Sequence, residues 1–388
     1  MGLGAVAGAV FLMALGEELW RRFLPKYLEA LGAPLLALGA YGSLRDLLDG
    51  LAQYPGGWFA DRHGRRAALR LFTGLAIAGY FLLAVAPSWS VAFAGVALAL
   101  AWSSMASPAL FATIGDALPS RHRALGFTVQ SILRRVPIVV APLLGGLLIA
   151  GHGVRSGVRL ALLITVACAL VTLGLVSVLR LPPVEAREPS DIRAVWRSVA
   201  APLRRLLASD VLVRACEGLV DVFVVIYALD VVGIGAPAFG GLIGIQMATA
   251  IASYAPGAWL ERRVGRKPLV IATFVAFALF PLAVAAAQTY AGLVAAFVVG
   301  GLREVGEPAR KALIVDLARP DLRARTVGVY YLIRSVSIAP AAMIGGLAWT
   351  VAPSLPFLLA GALGLAGAVV FALTVERPEG ETGGRTAA

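Results

Sequence analysis

Apolar residues run through this chain in twelve blocks, near positions 3–30, 36–60, 67–87, 90–117, 123–150, 157–180, 210–232, 236–260, 268–287, 290–317, 323–350 and 354–375. A helix crosses a bilayer with about 20 predominantly apolar residues, so each block is long enough to span. The pattern predicts an all-α integral membrane protein with twelve transmembrane helices. Between the blocks, polar connections alternate in charge. Asp61 to Arg66, Arg121 to Arg123, the 181–209 segment, Arg262 to Lys267, Arg319 to Arg325 and the tail from Arg377 are basic, whereas the turns around Ser88, Gly235, Gln288 and Ala352 carry almost no charge. Basic loops stay on the cytoplasmic side, which puts both termini in the cytoplasm and the protein in the cell membrane as a multi-pass chain.

Laying the second half of the chain on the first with an offset of 200 residues matches Glu17 with Glu217, Tyr27 with Tyr227, Tyr54 with Tyr254, Pro108 with Pro308 and Asp116 with Asp316. The same offset matches Arg134 with Arg334 and Gly145-Gly146-Leu147 with Gly345-Gly346-Leu347. A shared offset across unlike residue types implies two six-helix repeats, and transporters so built bind substrate near the midplane between them. The expected division is an N-terminal bundle over 1–180, a cytoplasmic linker over 181–209, a C-terminal bundle over 210–375 and a cytoplasmic tail over 376–388. The linker carries Ile192, Val195, Trp196 and Val199 at helical spacing with arginines between them, which reads equally as an amphipathic surface helix or as a solvated connection.

Composition sharpens this picture. The chain has 388 residues, 59% of them apolar and 14% charged, which excludes a soluble enzyme. The formal charge of +12 is almost all arginine, with Lys26, Lys267 and Lys311 the lysines, and it sits in the short connections, so it reads as topology rather than nucleic-acid binding. Cys168 and Cys216 fall inside apolar blocks, and His63, His122 and His152 stand at block edges without clustering. No disulfide framework, metal site or cofactor is read from them. The stretch Gly2 to Leu15 lacks the basic start of a signal peptide and is followed by Glu17-Glu18, so it is expected to be a retained first helix.

Between the second and third blocks stands Gly57-Trp58-Phe59-Ala60-Asp61-Arg62-His63-Gly64-Arg65-Arg66. Gly57 lets another helix approach, Asp61 can accept bonds from the following arginines, and Gly64 permits a tight turn. This run resembles the signature of the major facilitator superfamily, and with twelve helices in two repeats the resemblance covers the whole chain. It implies the fold of that family and a secondary transporter that rocks one half against the other, with Asp61, Arg62 and Arg65 latching the cytoplasmic side. The second copy runs from Gly257 to Lys267, with Glu261 for the acid and one extra residue before Gly265, so Glu261 and Arg262 are expected to latch less well. Ala141-Pro142-Leu143-Leu144-Gly145-Gly146 resembles the motif of exporters that run as antiporters, and equally reads as small residues for helix packing beside a Pro kink. The block around Trp102 lacks the arginine motif of proton-coupled drug exporters.

A charge at mid-bilayer costs about 2.5–3.5 kcal/mol, so each one is a functional candidate once local ion pairs are set aside. Residues three or four apart share a helix face, which pairs Glu17 with Arg21, Glu18 with Arg22, Arg45 with Asp49, Arg303 with Glu307, and Glu307 with Arg310 and Lys311. Arg134, Arg135 and Arg334 have no acid within four positions on their helices, and Asp46 has no base at helical spacing. Arg134 and Arg334 lie eleven residues beyond Arg123 and Arg323, about 16 Å in depth. Their planar forks suit a carboxylate or phosphate held between the repeats, with ion pairing to Asp46 or Glu304 as the rival. Tyr330, Tyr331 and Gln246 are candidates to line the same cavity. Glu217 and Asp221 are like-charged at i,i+4, and two carboxylates on one apolar face resist ionising together, which is what proton coupling needs; Arg214 alternatively neutralises Glu217. Glu17 and Asp46 are further coupling candidates. The sequence thus predicts a monomeric, proton-linked transporter of a small organic anion or amphipathic acid, leaning to export. A drug/proton antiporter for apolar or cationic compounds, a lipid flippase and a non-transporting sensor remain alternatives.

Overall fold

The computed structural model describes residues 2–106, 120–178, 196–197, 199–318 and 323–375, and leaves outside that description the side chains of 2–6, Gln53, Tyr54, Gly57, Asp61, 120–134 and 323–325. Every regular element among these residues is helical. In chain order they are α1 (Gly2–Trp20), α2 (Leu24–Ala30), α3 (Leu35–His63), α4 (Arg65–Val85), α5 (Trp89–Leu100), α6 (Ser120–Val178), α7 (Ala201–Val220), α8 (Val224–Ile226), α9 (Ala236–Val264), α10 (Arg266–Ala286), α11 (Tyr290–Leu302), α12 (Glu307–Asp316), α13 (Arg323–Ile338), α14 (Pro340–Val351) and α15 (Leu355–Thr374). A helix thus falls on each of the twelve predicted blocks. Six helical stretches, among them Arg65–Val85, Arg266–Ala286 and Leu355–Thr374, are long and apolar enough by themselves to cross a membrane. α3 and α7 fall short of that because they carry Arg45, Asp46 and Asp49, and Asp210, Arg214 and Glu217.

Glycines end or break the helices where the chain must turn. Gly64 separates α3 from α4 at φ +87°, and Gly265 separates α9 from α10 at φ +82°, a conformation that a Cβ disfavours. The 59 residues of α6 break at Gly153, whose φ of +78° divides the two predicted blocks. π-Turns interrupt two rods, at Ala101–Met105 after α5 and at Tyr227–Val231 after α8.

The chain forms two compact units, one of Met1–Pro189 with Val222–Met247, the other of Ser190–Asp221 with Ala248–Ala388. In unit 1, α1 lies against α6 so closely that a Cβ on Gly145 would collide with the Leu19 carbonyl, and Thr165 Oγ1 donates to the Gly16 carbonyl at 2.7 Å. Small residues allow this approach between helices where lipid supplies no hydrophobic drive. The 236–247 segment also belongs here: Gly240 abuts Pro142, Gly146 abuts Ala236, and Phe239 meets Phe23 edge-on at 5.7 Å. Lys26 Nζ joins them with bonds of 2.5 and 2.6 Å to Asp230. In unit 2, Leu203, Leu206, Val213, Phe274, Leu313 and Phe371 form the core that α7, α10, α12 and α15 share. Leu147, Leu170, Val351, Val369 and Leu373 are exposed on the outside, where a membrane protein presents apolar side chains to lipid.

One boundary differs from the sequence reading. α7 begins at Ala201, not at 210, so the end of the supposed linker is the first turns of the seventh helix. Leu203 and Leu206 are fully buried, and Arg205 donates to the Thr374 carbonyl at the end of α15. The arginines dilute the hydropathy of these turns while their leucines belong to the core.

Candidate functional site

The charge-bearing face of α7 is built by spacing. Asp210, Arg214 and Glu217 stand four and three residues apart, on one side of the helix. α12 brings Glu307 and Arg310, the end of α11 brings Arg303, and α13 brings Tyr330, Tyr331 and Arg334, all within unit 2. Arg310 grips Glu307 with two parallel bonds, Nε to Oε1 at 3.0 Å and Nη2 to Oε2 at 2.8 Å, and donates from Nη1 to Asp210 Oδ2 at 2.7 Å. Arg214 donates to Glu307 at 2.6 Å and to Glu217 at 2.9 Å. Arg303 reaches Glu217 Oε1 at 3.3 Å, and the Tyr330 hydroxyl donates to Asp210 Oδ2 at 2.9 Å. Phe277 lies between the Arg214 and Arg303 guanidiniums, at 4.6 and 4.9 Å from its ring centre, the attractive placement for a cation on an aromatic face.

Asp210 is 0% and Arg310 1% exposed. Buried charges persist only when paired and hydrogen-bonded, and these are. Arg214, Arg303, Arg310 and Arg334 face Asp210, Glu217 and Glu307, so the cluster carries one guanidinium more than it has carboxylates. The least committed is Arg334. Its Nη1 lies 3.6 Å from Asp210 Oδ2, beyond hydrogen-bond reach, and its Nε is buried with no hydrogen-bond partner. The guanidinium stacks 4.6 Å over the Tyr331 ring.

The sequence candidates sort against this geometry as follows. Arg334 has Asp210 as its counter-ion, not Asp46 or Glu304; the Glu304 carboxylate accepts from the Tyr254 hydroxyl at 2.9 Å. Tyr330 spends its hydroxyl on Asp210, which leaves Tyr331 against Arg334. Glu217 is held by Arg214 and Arg303, the neutralised alternative to its like-charged pairing with Asp221. The Arg134 side chain lies outside the described residues. Arg135 Nη1 points to Met247 Sδ at 3.5 Å, and Gln246 beside it is half-buried.

In unit 1, Glu17 Oε1 accepts from the Tyr80 hydroxyl at 2.5 Å, and Arg21 pairs with Glu18 at 3.5 Å rather than with Glu17. Asp46, expected to lack a base, accepts from its neighbour Arg45 at 3.0 and 3.2 Å. Asp49, expected to hold Arg45, instead accepts from Ser104 Oγ at 2.6 Å. Glu17, Trp20, Arg21, Tyr41, Arg45 and Ser103 line a small, partly open cleft, with Leu24, Val96, Ala99 and Leu100 as its apolar walls.

Of the latch residues, Gly57 and Asp61 have side chains outside the described residues. Arg62 lies 5.5 Å over Trp58, and Arg65 is half-buried beside the Gly64 turn. In the second copy, Arg266 bridges Glu261 at 3.2 Å and Asp316 at 2.5 Å, while Arg262 is exposed. Arg266 was not singled out by sequence, although it stands directly after the turn glycine as Arg65 does. Asp210 was missed too. Its signal was the four-residue spacing to Arg214, concealed because the helix was started at Asp210 itself. Among the described residues no group of His, Cys, Asp and Glu could hold a metal ion.

Comparison with known proteins follows the same lines. The family model described as Major Facilitator Superfamily matches residues 6–229 and 211–388. An MFS-type transporter of Methanocaldococcus jannaschii is 22% identical over 371 residues, covering 92% of this chain and 90% of its own. The multidrug resistance protein MdtG of Enterobacter lignolyticus is 24% identical over 348 residues, with 86% and 82% covered. A crystal structure of a POT family transporter in complex with 5-aminolevulinic acid superposes with a TM-score of 0.78 at 15% identity, over 95% of this chain and 94% of that one.

Proposed function

Because the chain belongs to the Major Facilitator Superfamily, a family of multi-pass membrane transporters, we propose that it is a proton-linked secondary transporter of a small organic anion or amphipathic acid, working by alternating access and leaning to export. The observation that carries the anion is the surplus guanidinium of unit 2. Arg334 keeps a buried, unpartnered Nε and a second nitrogen beyond bonding distance of Asp210. A carboxylate arriving there takes two parallel bonds from a fork whose carbon lies 4.6 Å over the Tyr331 ring. The network behind it positions Arg334: Arg310 and Tyr330 occupy Asp210 Oδ2, so Asp210 attracts Arg334 without saturating it. Arg134, the repeat mate of Arg334, is proposed as the second anion contact.

For the proton, Glu217 between Arg214 and Arg303 is a carboxylate that can change partners, and Asp221, Glu17 and Asp46 stay candidates. A drug-exporting reading draws on the multidrug-resistance relative and on Glu17 in the cleft of unit 1, an acid beside apolar walls that suits an amphipathic cation.

The deciding experiment is a thermal-shift screen of the purified protein against pooled organic anions and pooled amphipathic cations, at mildly acidic and mildly alkaline pH. A ligand at one hundred times its dissociation constant adds about 2.7 kcal/mol, which is readily seen. The expected result is stabilisation by anions that disappears in Arg334→Ala. Stabilisation by cations alone, unchanged in Arg334→Ala, replaces this reading with drug export.

A further inference from the structure

Two arginines on α4 converge on one neutral residue at the end of α6, inside unit 1. Arg66 Nη2 and Arg70 Nη2 both donate to the Ser177 carbonyl, the latter at 3.0 Å, and Arg70 Nε donates to Ser177 Oγ at 3.2 Å. Arg66 Nε is buried with no hydrogen-bond partner among the described residues. These bonds hold the side chains without neutralising them, so two positive charges are fixed side by side. The start of α4 adds to the same potential, since Gly64 supplies no side-chain cap and the first turn holds no acid.

The second repeat shows that the fold does not require this pair. Counted from the turn glycines Gly64 and Gly265, Arg65 corresponds to Arg266, Arg66 to Lys267 and Arg70 to Ile271. Arg266 is the residue that pairs with Glu261 and Asp316. The role of bridging acids across the signature turn therefore falls to Arg65 by correspondence, whereas Arg66 and Arg70 are directed to the end of another helix.

Depth and surroundings indicate the kind of anion that fits. Arg65–Val85 is about 30 Å long, the thickness of the hydrocarbon core, and Arg66 and Arg70 lie in its first two turns, from which long basic side chains reach the headgroups. One turn deeper, Gly74 on α4 and Gly174 on α6 have open space where a Cβ would stand. Leu71 on α4 and Val171 and Val178 on α6 are exposed. An anion here meets guanidiniums at one end and open apolar surface at the other, which suits a phosphate that carries acyl chains.

We propose that Arg66 and Arg70, joined through Ser177, bind the headgroup phosphate of an anionic phospholipid at the α4–α6 edge of unit 1. Each guanidinium keeps N–H donors that Ser177 does not take, and phosphate oxygens match their planar geometry. Clusters of arginine at the membrane surface draw anionic lipid. The site is independent of what the protein carries.

The test is native mass spectrometry of the full-length protein released from nanodiscs of mixed phosphatidylglycerol and phosphatidylcholine. Wild type is expected to retain phosphatidylglycerol in preference to phosphatidylcholine. Arg70→Ile, which installs the residue of the second repeat, should lose that preference. Arg205→Gln is the control, because Arg205 donates to the Thr374 carbonyl at a different helix end, and it should keep the preference. Circular dichroism establishes folding, and Arg66→Gln, read in the same way, decides the matter where Arg70→Ile does not fold. Retention in the folded variant equal to wild type overturns the proposal. An equal loss in Arg205→Gln means that positive charge attracts lipid wherever it stands, which also overturns it. Displacement of the retained lipid by inorganic phosphate makes the ligand a soluble anion and overturns the lipid assignment. In detergent, added phosphatidylglycerol should raise the melting midpoint of wild type above that in phosphatidylcholine and leave Arg70→Ile with no difference.

Discussion

At the scale of the residue, the arginines of the unit 2 cluster separate into those hydrogen-bonded to a carboxylate and Arg334, whose nearest carboxylate oxygen lies beyond bonding distance. Arg310 binds Asp210 and Glu307 together, all three of them buried. Removing one partner of such a network leaves uncompensated charge in a medium that solvates it poorly, so Arg310→Met is expected to lose about 3–5 kcal/mol, read from chemical or thermal unfolding in detergent. Adding Glu307→Leu should recover part of that loss, and a double-mutant cycle checks the coupling. Replacing Arg334, with its weak hold on Asp210, should cost far less stability while removing the response to anions. How much of this was legible follows from separation along the chain. Arg214 with Glu217 and Glu307 with Arg310 are three apart and were readable from helical spacing. Asp210 was not, because its partners Arg310 and Tyr330 lie 100 and 120 residues away. On α3 the spacing rule failed locally: Arg45 offers its guanidinium to adjacent Asp46, while Asp49 accepts from Ser104 Oγ.

At the scale of the element, turn chemistry was the most readable feature. The glycines of the two signature copies both sit at positive φ, as the repeat required. Gly64→Ala or Gly265→Ala forces an L side chain into positive φ with extended ψ, a region open essentially to glycine, at about 1–3 kcal/mol, which a shift of the melting midpoint should report. Close helix contacts were less readable. Gly145 looked like part of an exporter motif or a packing surface, and in the structure it is where α6 meets the Leu19 backbone of α1. Gly145→Leu is therefore expected to prevent assembly of unit 1, seen as loss of a monodisperse peak on size exclusion. Helix length was misjudged where amphipathicity replaces uniform hydropathy: Arg204 and Arg205 concealed the start of α7 although Leu203 and Leu206 are fully buried.

At the scale of the whole molecule, chain order and compactness diverge. Val222–Met247 belongs to unit 1, held by glycine contacts and by the Lys26 to Asp230 bond across 204 residues. Lys26→Asp should destabilise the protein by up to about 1 kcal/mol, the scale of a partly exposed ion pair, and adding Asp230→Lys should restore the melting midpoint. The charge alternation of the loops makes a separate prediction about topology: a protease site appended after Ala388 is expected to be cut from the cytoplasmic side of the membrane only. Family, membrane class and turn glycines were determined by sequence alone, because each depends on local composition or on residues close together along the chain. Which acid faces which arginine, where α7 begins, and that Asp49 rests on a serine were decided only by tertiary structure. Those pairings join residues 55 to 120 positions apart, and a buried charge takes the partner that packing brings within reach, whatever spacing offers on its own helix.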